Sequence, residues 1–126
     1  MASLIFVVDD SRTVIATLRH ALNEGGYEVV DAQDGLEGVN VLEKLASEGN
    51  KPDMIITDIN MPDMDGISFI RKIREKKEYS KTPILVLTTE KNQDLKMEGK
   101  NVGANGWLVK PFKSQKLLEI VEDFLK

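Results

Sequence analysis

Three aspartates, one threonine and one lysine stand where apolar segments of the chain end, and together they could handle a phosphate. Asp9 and Asp10 follow Leu4–Val8, Asp58 follows Met54–Thr57, Thr88 closes Ile84–Thr88, and Lys110 follows Gly106–Val109. If these segments are parallel strands of one sheet, their ends share one edge, which is where open parallel sheets bind ligands. Two bare carboxylates about 4 Å apart repel by roughly 4 kcal/mol at an effective dielectric near 20. Three of them need protons, a lysine or a cation, and one lysine cannot balance three acids. A hard divalent ion held by a few carboxylates, with waters left over, fits Mg²⁺ better than Ca²⁺, which takes more protein oxygens. Zinc and iron fit less well without nitrogen or sulfur ligands nearby. Mg²⁺, a lysine and a hydroxyl around a carboxylate suit phosphoryl transfer, in which the carboxylate attacks in line and becomes an aspartyl phosphate.

Taken singly, these residues have duller explanations. Asp9 or Asp10 could simply cap the helix that follows. Thr88 could be structural, and Lys110, before Pro111, could be a solvated loop lysine. Asp58 is harder to explain away, because Asn60-Met61-Pro62 follow it and leave it no obvious capping task. The chemical reading rests on all five falling at the same relative strand ends.

The elements that must position them follow from the hydrophobic pattern. Five apolar runs, Leu4–Val8, Tyr27–Val30, Met54–Thr57, Ile84–Thr88 and Gly106–Val109, are continuous rather than alternating. Strands buried on both faces of a parallel sheet read this way. Between the runs, apolar residues recur at helical spacing. Val14, Ile15, Leu18, Ala21 and Leu22 follow Ser11, a candidate N-cap, and stop at Gly25-Gly26. Leu36, Val39, Leu42, Leu45 and Ala46 follow Asp34 and end near Gly49. Ile67, Ile70 and Ile73 follow Asp65, and Arg71, Lys72, Arg74, Lys76 and Lys77 form what reads as a solvated helix end. A fourth helix, about Asn92 to Val102, is the weakest, with few apolar residues and Gly99 inside it; a mid-helix Gly costs roughly 1 kcal/mol relative to Ala. Leu117, Leu118, Val121, Phe124 and Leu125 form the last. Strands alternating with helices predict βαβ crossovers and an α/β fold, a doubly wound parallel sheet with helices on both faces.

Composition narrows the function. The 126 residues, 41% hydrophobic and 30% charged, suit one domain, and the chain's ending with the fifth helix predicts no attached output domain. No cysteine is present, which excludes disulfides, thiolate metal sites and cysteine nucleophiles; the one histidine, His20, disfavours a multi-histidine metal site or a Ser/His/Asp triad. The net charge of −4 divides unevenly: residues 1–80 hold 9 basic and 15 acidic side chains, residues 81–126 hold 8 and 6. An acidic domain with no dense basic stripe is a poor nucleic-acid binder. Leu4–Val8 is too short for a signal-peptide core or a membrane span, so the expectation is a cytoplasmic protein without membrane insertion.

Four stretches match one family in order along almost the whole chain. They are Val7-Val8-Asp9-Asp10-Ser11, then Asp58-Ile59-Asn60-Met61-Pro62-Asp63-Met64-Asp65-Gly66, then Leu85-Val86-Leu87-Thr88-Thr89, and finally Gly103-Ala104-Asn105-Gly106-Trp107-Leu108-Val109-Lys110-Pro111-Phe112. In these the chain resembles the response-regulator receiver domain, most closely its single-domain chemotaxis members. The resemblance implies a receiver domain over residues 1–126 with a flavodoxin-like (βα)5 fold and strand order 2-1-3-4-5. It implies that Asp58 accepts a phosphoryl group from a sensor histidine kinase. Mg²⁺ would be bound by Asp10, Asp58 and the Asn60 carbonyl, with Asp9 acting mainly through water. Lys110 would pair with the phosphoryl oxygens and Thr88 would bond to them and draw its loop inward. A cis Lys110–Pro111 bond is expected. Trp107 occupies the switch position usually held by Tyr or Phe, on an output face made of the fourth helix, fifth strand and fifth helix. Thr89 is larger than the usual Ala or Gly and would narrow access to Asp58, while Asn60 and Glu90 sit where the lifetime of the acyl phosphate is tuned. The implied role is a two-component signalling switch rather than an enzyme, a monomer acting in chemotaxis on a target such as a flagellar motor switch protein, with a phosphatase as a further partner. A phosphorelay intermediate or a phosphate sink is the alternative.

Two other classes are weighed on the same residues. A haloacid-dehalogenase-type phosphatase also uses a strand-end Asp with Mg²⁺, but wants a second Asp two residues later as general acid, where this chain has Asn60. A flavodoxin would carry a hydroxyl- or glycine-rich phosphate loop after the first strand, where this chain has Asp9-Asp10.

Overall fold

A computed structural model describes residues 2–126. Five parallel strands, β1 (Leu4–Val8), β2 (Glu28–Ala32), β3 (Met54–Thr57), β4 (Ile84–Thr88) and β5 (Gly106–Val109), form one sheet in the order β2-β1-β3-β4-β5. Five α-helices connect and follow them: α1 (Arg12–Glu24), α2 (Gly35–Ser47), α3 (Gly66–Arg74), α4 (Gln93–Val102) and α5 (Ser114–Phe124). This is the doubly wound arrangement the hydrophobic pattern predicts, in the flavodoxin-like strand order the resemblance implies.

Alternation along each strand divides the core in two. Phe6 and Val8 of β1 join Ile55, Val86 and the apolar residues of α2 and α3 on one face. Ile5 and Val7 join Ile56, Leu85, Leu87 and those of α1 and α5 on the other. The central strands β3 and β4 are wholly buried, and β1 nearly so, which is why their sequences are apolar without interruption. The edge strands β2 and β5 are mostly half-exposed.

The N-cap expected at Ser11 forms, its side chain accepting from the Val14 N–H, and Asp34 and Asp65 cap α2 and α3 in the same way, accepting from the N–H groups of Glu37 and Ser68. α4 begins at an Asn92 cap and ends at Gly103, whose φ of 118° is the left-handed conformation that glycine adopts without strain.

The structure differs from the expectation in two places. β2 runs from Glu28 to Ala32 rather than from Tyr27 to Val30. The Tyr27 N–H instead bonds the Leu22 carbonyl, keeping Tyr27 with the end of α1, and the polar Asp31 is admitted to this edge strand by an ion pair with Arg19. The basic run after Ile73 is not a uniformly solvated helix end. α3 stops at Arg74, whose guanidinium donates to the carbonyls of Tyr79 and Gly103 and to Asn105 Oδ1, tying α3 to the approach to β5. Lys76 pairs with Glu43 of α2 at 2.6 Å. A short 3₁₀ turn, Lys77–Tyr79, follows; its Tyr79 is fully buried, donates its hydroxyl to the Leu42 carbonyl at 2.6 Å, and is pushed up to about pH 12 by burial, with the Glu78 carboxylate adding to the shift.

Candidate functional site at the strand ends

Parallel pairing carries the site residues to one rim. The Asp9 N–H bonds the Ala32 carbonyl, the Asp58 N–H bonds the Val8 carbonyl, and the Lys110 N–H bonds the Thr88 carbonyl. Each thus extends the ladder one residue past its strand. The carboxylates of Asp9, Asp10 and Asp58 each place an oxygen within 4.8 Å of the others. Asp9 and Asp58 are 2% and 7% exposed, whereas Asp10 faces solvent.

Lys110 bridges the two buried acids, its Nζ 2.7 Å from Asp9 Oδ2 and 3.2 Å from Asp58 Oδ2. Asp9 Oδ1 accepts the Ser11 N–H at 2.9 Å. Asp58 Oδ1 accepts the Ile59 N–H at 2.6 Å and the Asn60 N–H at 3.4 Å. Burial pushes the Asp9 carboxyl above the usual range, against the pull of Lys110 and of the Ser11 N–H. Burial alone would lower the Lys110 ammonium, but its hydrogen bond to Asp9 and the charges of Asp58 and Asp9 outweigh it and hold Lys110 above its ordinary value. One ammonium therefore serves two buried carboxylates, with a third acid beside them. A cluster of three carboxylates short of positive charge, with no nitrogen or sulfur among its donors, fits a hard divalent cation such as Mg²⁺.

Thr88 is fully buried at the end of β4, and its Oγ1 accepts the Glu90 N–H at 3.2 Å. The structure therefore gathers Asp9, Asp10, Asp58, Thr88 and Lys110 at one rim, with Asn60 beside Asp58. Trp107 lies on β5, one strand over, half-buried, and donates its indole N–H to the Glu90 carbonyl at 3.2 Å. Thr89 borders a cleft between α1 and the segment after β5, lined also by Thr13, Lys110 and Phe112. The Lys110–Pro111 bond is cis, as the resemblance implies.

Sequence reasoning missed one residue that shapes the site. A Cβ at Gly66 would stand 2.1 Å from the Asp58 carbonyl oxygen and 2.7 Å from Ile59 Cα. Glycine there lets the β3–α3 connection fold back on Asp58, where the Gly66 N–H bonds the Ile59 carbonyl at 2.8 Å. Within that connection Asp63 takes a φ of +65°, a left-handed conformation that aspartate tolerates better than most side chains. The signal was present as the Gly in Asp65-Gly66, but its meaning depends on backbone eight residues earlier.

The sequence matches the family described as the response regulator receiver domain over residues 5–122. It is 37% identical over 122 residues to a chemotaxis protein CheY homolog of Campylobacter jejuni, covering 96% of this chain and 91% of that protein. The chemotaxis response regulator CheY4 of Vibrio cholerae superposes with a TM-score of 0.88 at 41% identity, covering 99% of this chain and all of that one. The receiver domain of sensor histidine kinase PA1611 from Pseudomonas aeruginosa superposes with a TM-score of 0.88 at 28% identity, covering 99% and 98% of the two chains; its structure holds a magnesium ion coordinated in the active-site cleft.

Proposed function

The chain belongs to the response regulator receiver domain family, and from that premise we propose that it is a phosphorylation switch whose acceptor is Asp58. The observation that carries the reading is the single rim on which Lys110 bridges Asp9 and Asp58 with Asp10 alongside. Family members take phosphoryl groups from histidine kinases and act as signalling switches rather than as classical enzymes.

In the transfer, a carboxylate oxygen of Asp58 attacks the phosphorus of a phosphohistidine. The new O–P bond forms as the N–P bond breaks, and the electron pair leaves with the imidazole of the kinase. The Ile59 and Asn60 N–H groups hold Asp58 Oδ1, orienting the carboxylate. Lys110, already at Asp58 Oδ2, is placed to follow the charge onto the phosphoryl oxygens, and the Thr88 hydroxyl has its proton free to donate. Asp9, Asp10, Asp58 and the Asn60 carbonyl would hold Mg²⁺, which when bound neutralises charge on the transferring group. Hydrolysis of the aspartyl phosphate by water, assisted by the same residues, resets the switch.

The modified group brings about −1.5 to −2 units of charge to the rim. The response is read on the surface formed by α4, β5 and α5, with Thr88 and Trp107 linking rim to surface. The likeness to the Campylobacter and Vibrio chemotaxis proteins supports a role for a cytoplasmic monomer in chemotaxis, with a flagellar motor switch protein as target and a phosphatase as a second partner.

Incubation with acetyl phosphate or a phosphorylated kinase and Mg²⁺ should add one phosphoryl group, read by intact-protein mass, and EDTA should suppress it. Asp58→Asn should abolish the gain; undiminished labelling in that variant overturns the assignment of Asp58.

A further inference from the structure

Trp107 touches two parts of the molecule at once. Its indole N–H is held by the Glu90 carbonyl, and its six-membered ring lies over α4 at Gly99. A Cβ at position 99 would stand 3.0 Å from Trp107 Cζ3, with Ile67 Cδ1 3.5 Å away. Carbon atoms pack best at about 3.5–4.0 Å, so a side chain there would displace either the ring or the helix. Gly99 is the buried residue of α4, and its φ is not positive. The backbone does not require glycine at this point; what a side chain would press on is the ring, by a few tenths of an ångström. Glycine inside a helix otherwise weakens it.

A second set of contacts runs back to the rim. The Glu90 N–H bonds Thr88 Oγ1 at 3.2 Å. A hydroxyl offers one proton and two acceptor positions, so Thr88 can keep accepting from Glu90 while donating its proton elsewhere. A shift of the Thr88 hydroxyl then carries the Glu90 backbone, and the Glu90 carbonyl carries the indole.

We propose that Gly99 is a positioning residue of the output face: its missing side chain opens the notch in α4 that seats Trp107, so that the Thr88–Glu90 loop, the indole and α4 shift as one piece when Asp58 is phosphorylated. A ring held at both ends transmits by moving α4, without leaving its seat. The trigger rests on the phosphorylation reading above, whereas the seat exists in the resting protein and can be tested without it.

Four full-length proteins test it: the natural chain, Gly99→Ala, Trp107→Phe and the double variant. An ordinary exposed helix position would gain stability from Gly→Ala. Gly99→Ala should instead lower the urea midpoint beside Trp107 and raise it beside phenylalanine, which is smaller and lacks the ring edge at Cζ3. Since Trp107 is the sole tryptophan, its emission reports directly on the seat. Gly99→Ala should shift that emission to the red and at least halve the change produced by Mg²⁺ with beryllofluoride, a phosphoryl mimic. Midpoint shifts of the same sign in both backgrounds, with unshifted emission, overturn the proposal. Should Gly99→Ala alone fail to fold, recovery of folding in the double variant supports the seat and failure to recover overturns it. Absence of phosphoryl labelling in the natural chain would defeat the trigger while leaving the urea comparison intact.

Discussion

α3 and α4 lie side by side, each following a strand whose end supplies a site residue, yet they are held in opposite ways. α3 buries Gly66, Ile67, Phe69, Ile70 and Ile73, whereas α4 buries Gly99 and leaves Met97 57% exposed. The start of α3 is locked to Asp58 by the close pass of Gly66. α4 is attached by the Asn92 cap, the turn at Gly103 and the seated indole. Under the proposed function, an acceptor at Asp58 must hold its geometry to fractions of an ångström, which suits a helix packed into the core. Under the same proposal, a reporting element must move for a small change in free energy, which suits a helix packed as lightly as α4. The same sheet serves both needs because the two helices follow different strands.

The largest test of that contrast removes one side chain from each helix. Phe69→Ala should cost about 3–5 kcal/mol in urea unfolding, as for a large buried aromatic. Met97→Ala should change stability by no more than about 0.5 kcal/mol, as for an exposed position. Comparable losses would erase the distinction.

Glycine substitutions sharpen it. Gly66→Ala drives a methyl into the Asp58 carbonyl, and neither backbone can retreat easily. A loss of about 3 kcal/mol is expected, together with slower labelling by acetyl phosphate. Gly103→Ala meets a side chain instead, Arg74 with its Nε at 2.7 Å, and also strains a backbone with positive φ; a cost of about 1–2 kcal/mol is expected, the smaller of the two because a side chain yields more readily than backbone. If Gly66→Ala is the milder of the two, the packing at Asp58 is looser than the distances indicate.

Hydrogen exchange compares the helices without mutation. Amides of α4 should exchange about tenfold faster than those of α3, a local opening free energy lower by about 1.4 kcal/mol. Equal protection would mean that α4 is no more mobile than its neighbour.

Which of these features could be read from the chain alone depends on whether the cause is local. The central strands were legible because burial on both faces leaves an unbroken apolar run, as in Leu4–Val8 and Ile84–Thr88. β2 was displaced because an edge strand admits Glu28 and Asp31, and the partner that makes Asp31 acceptable, Arg19, lies on α1. Asp9, Asp10, Asp58, Thr88 and Lys110 were legible because each follows or closes its run and parallel topology brings such ends together. Arg74 was not, since a basic residue at a helix end reads as solvated until Tyr79, Gly103 and Asn105 are seen around it. Gly66 and Gly99 share that limit. A glycine declares itself when it turns the chain, but one that makes room does so for a residue elsewhere in the sequence.

The helix caps give the smallest and most selective test. Asp65 caps α3 with a carboxylate, accepting from the Ser68 N–H at 2.9 Å and the Ser68 hydroxyl at 3.0 Å, while Asn92 caps α4 with an amide that does not titrate. Partial burial disfavours the Asp65 anion, but the bonds from Ser68 outweigh it and hold its carboxyl below the usual carboxylate range. A depressed folded value means that ionised Asp65 stabilises the fold above pH 3.8, and that this contribution is lost as pH falls through the folded value. Asp65→Asn keeps a capping oxygen and removes the charge. It should therefore be less stable than the natural chain at neutral pH, by under about 1 kcal/mol for so exposed a group. The gap should close below pH 3.8, because the protonated acid and the amide are then equivalent in charge. Asn92→Asp performs the reciprocal experiment on α4, giving that helix a pH-dependent cap. A gap at Asp65 that persists undiminished into acid would show that the cap acts by shape rather than by charge, and the two helix starts would then differ only in what they bury.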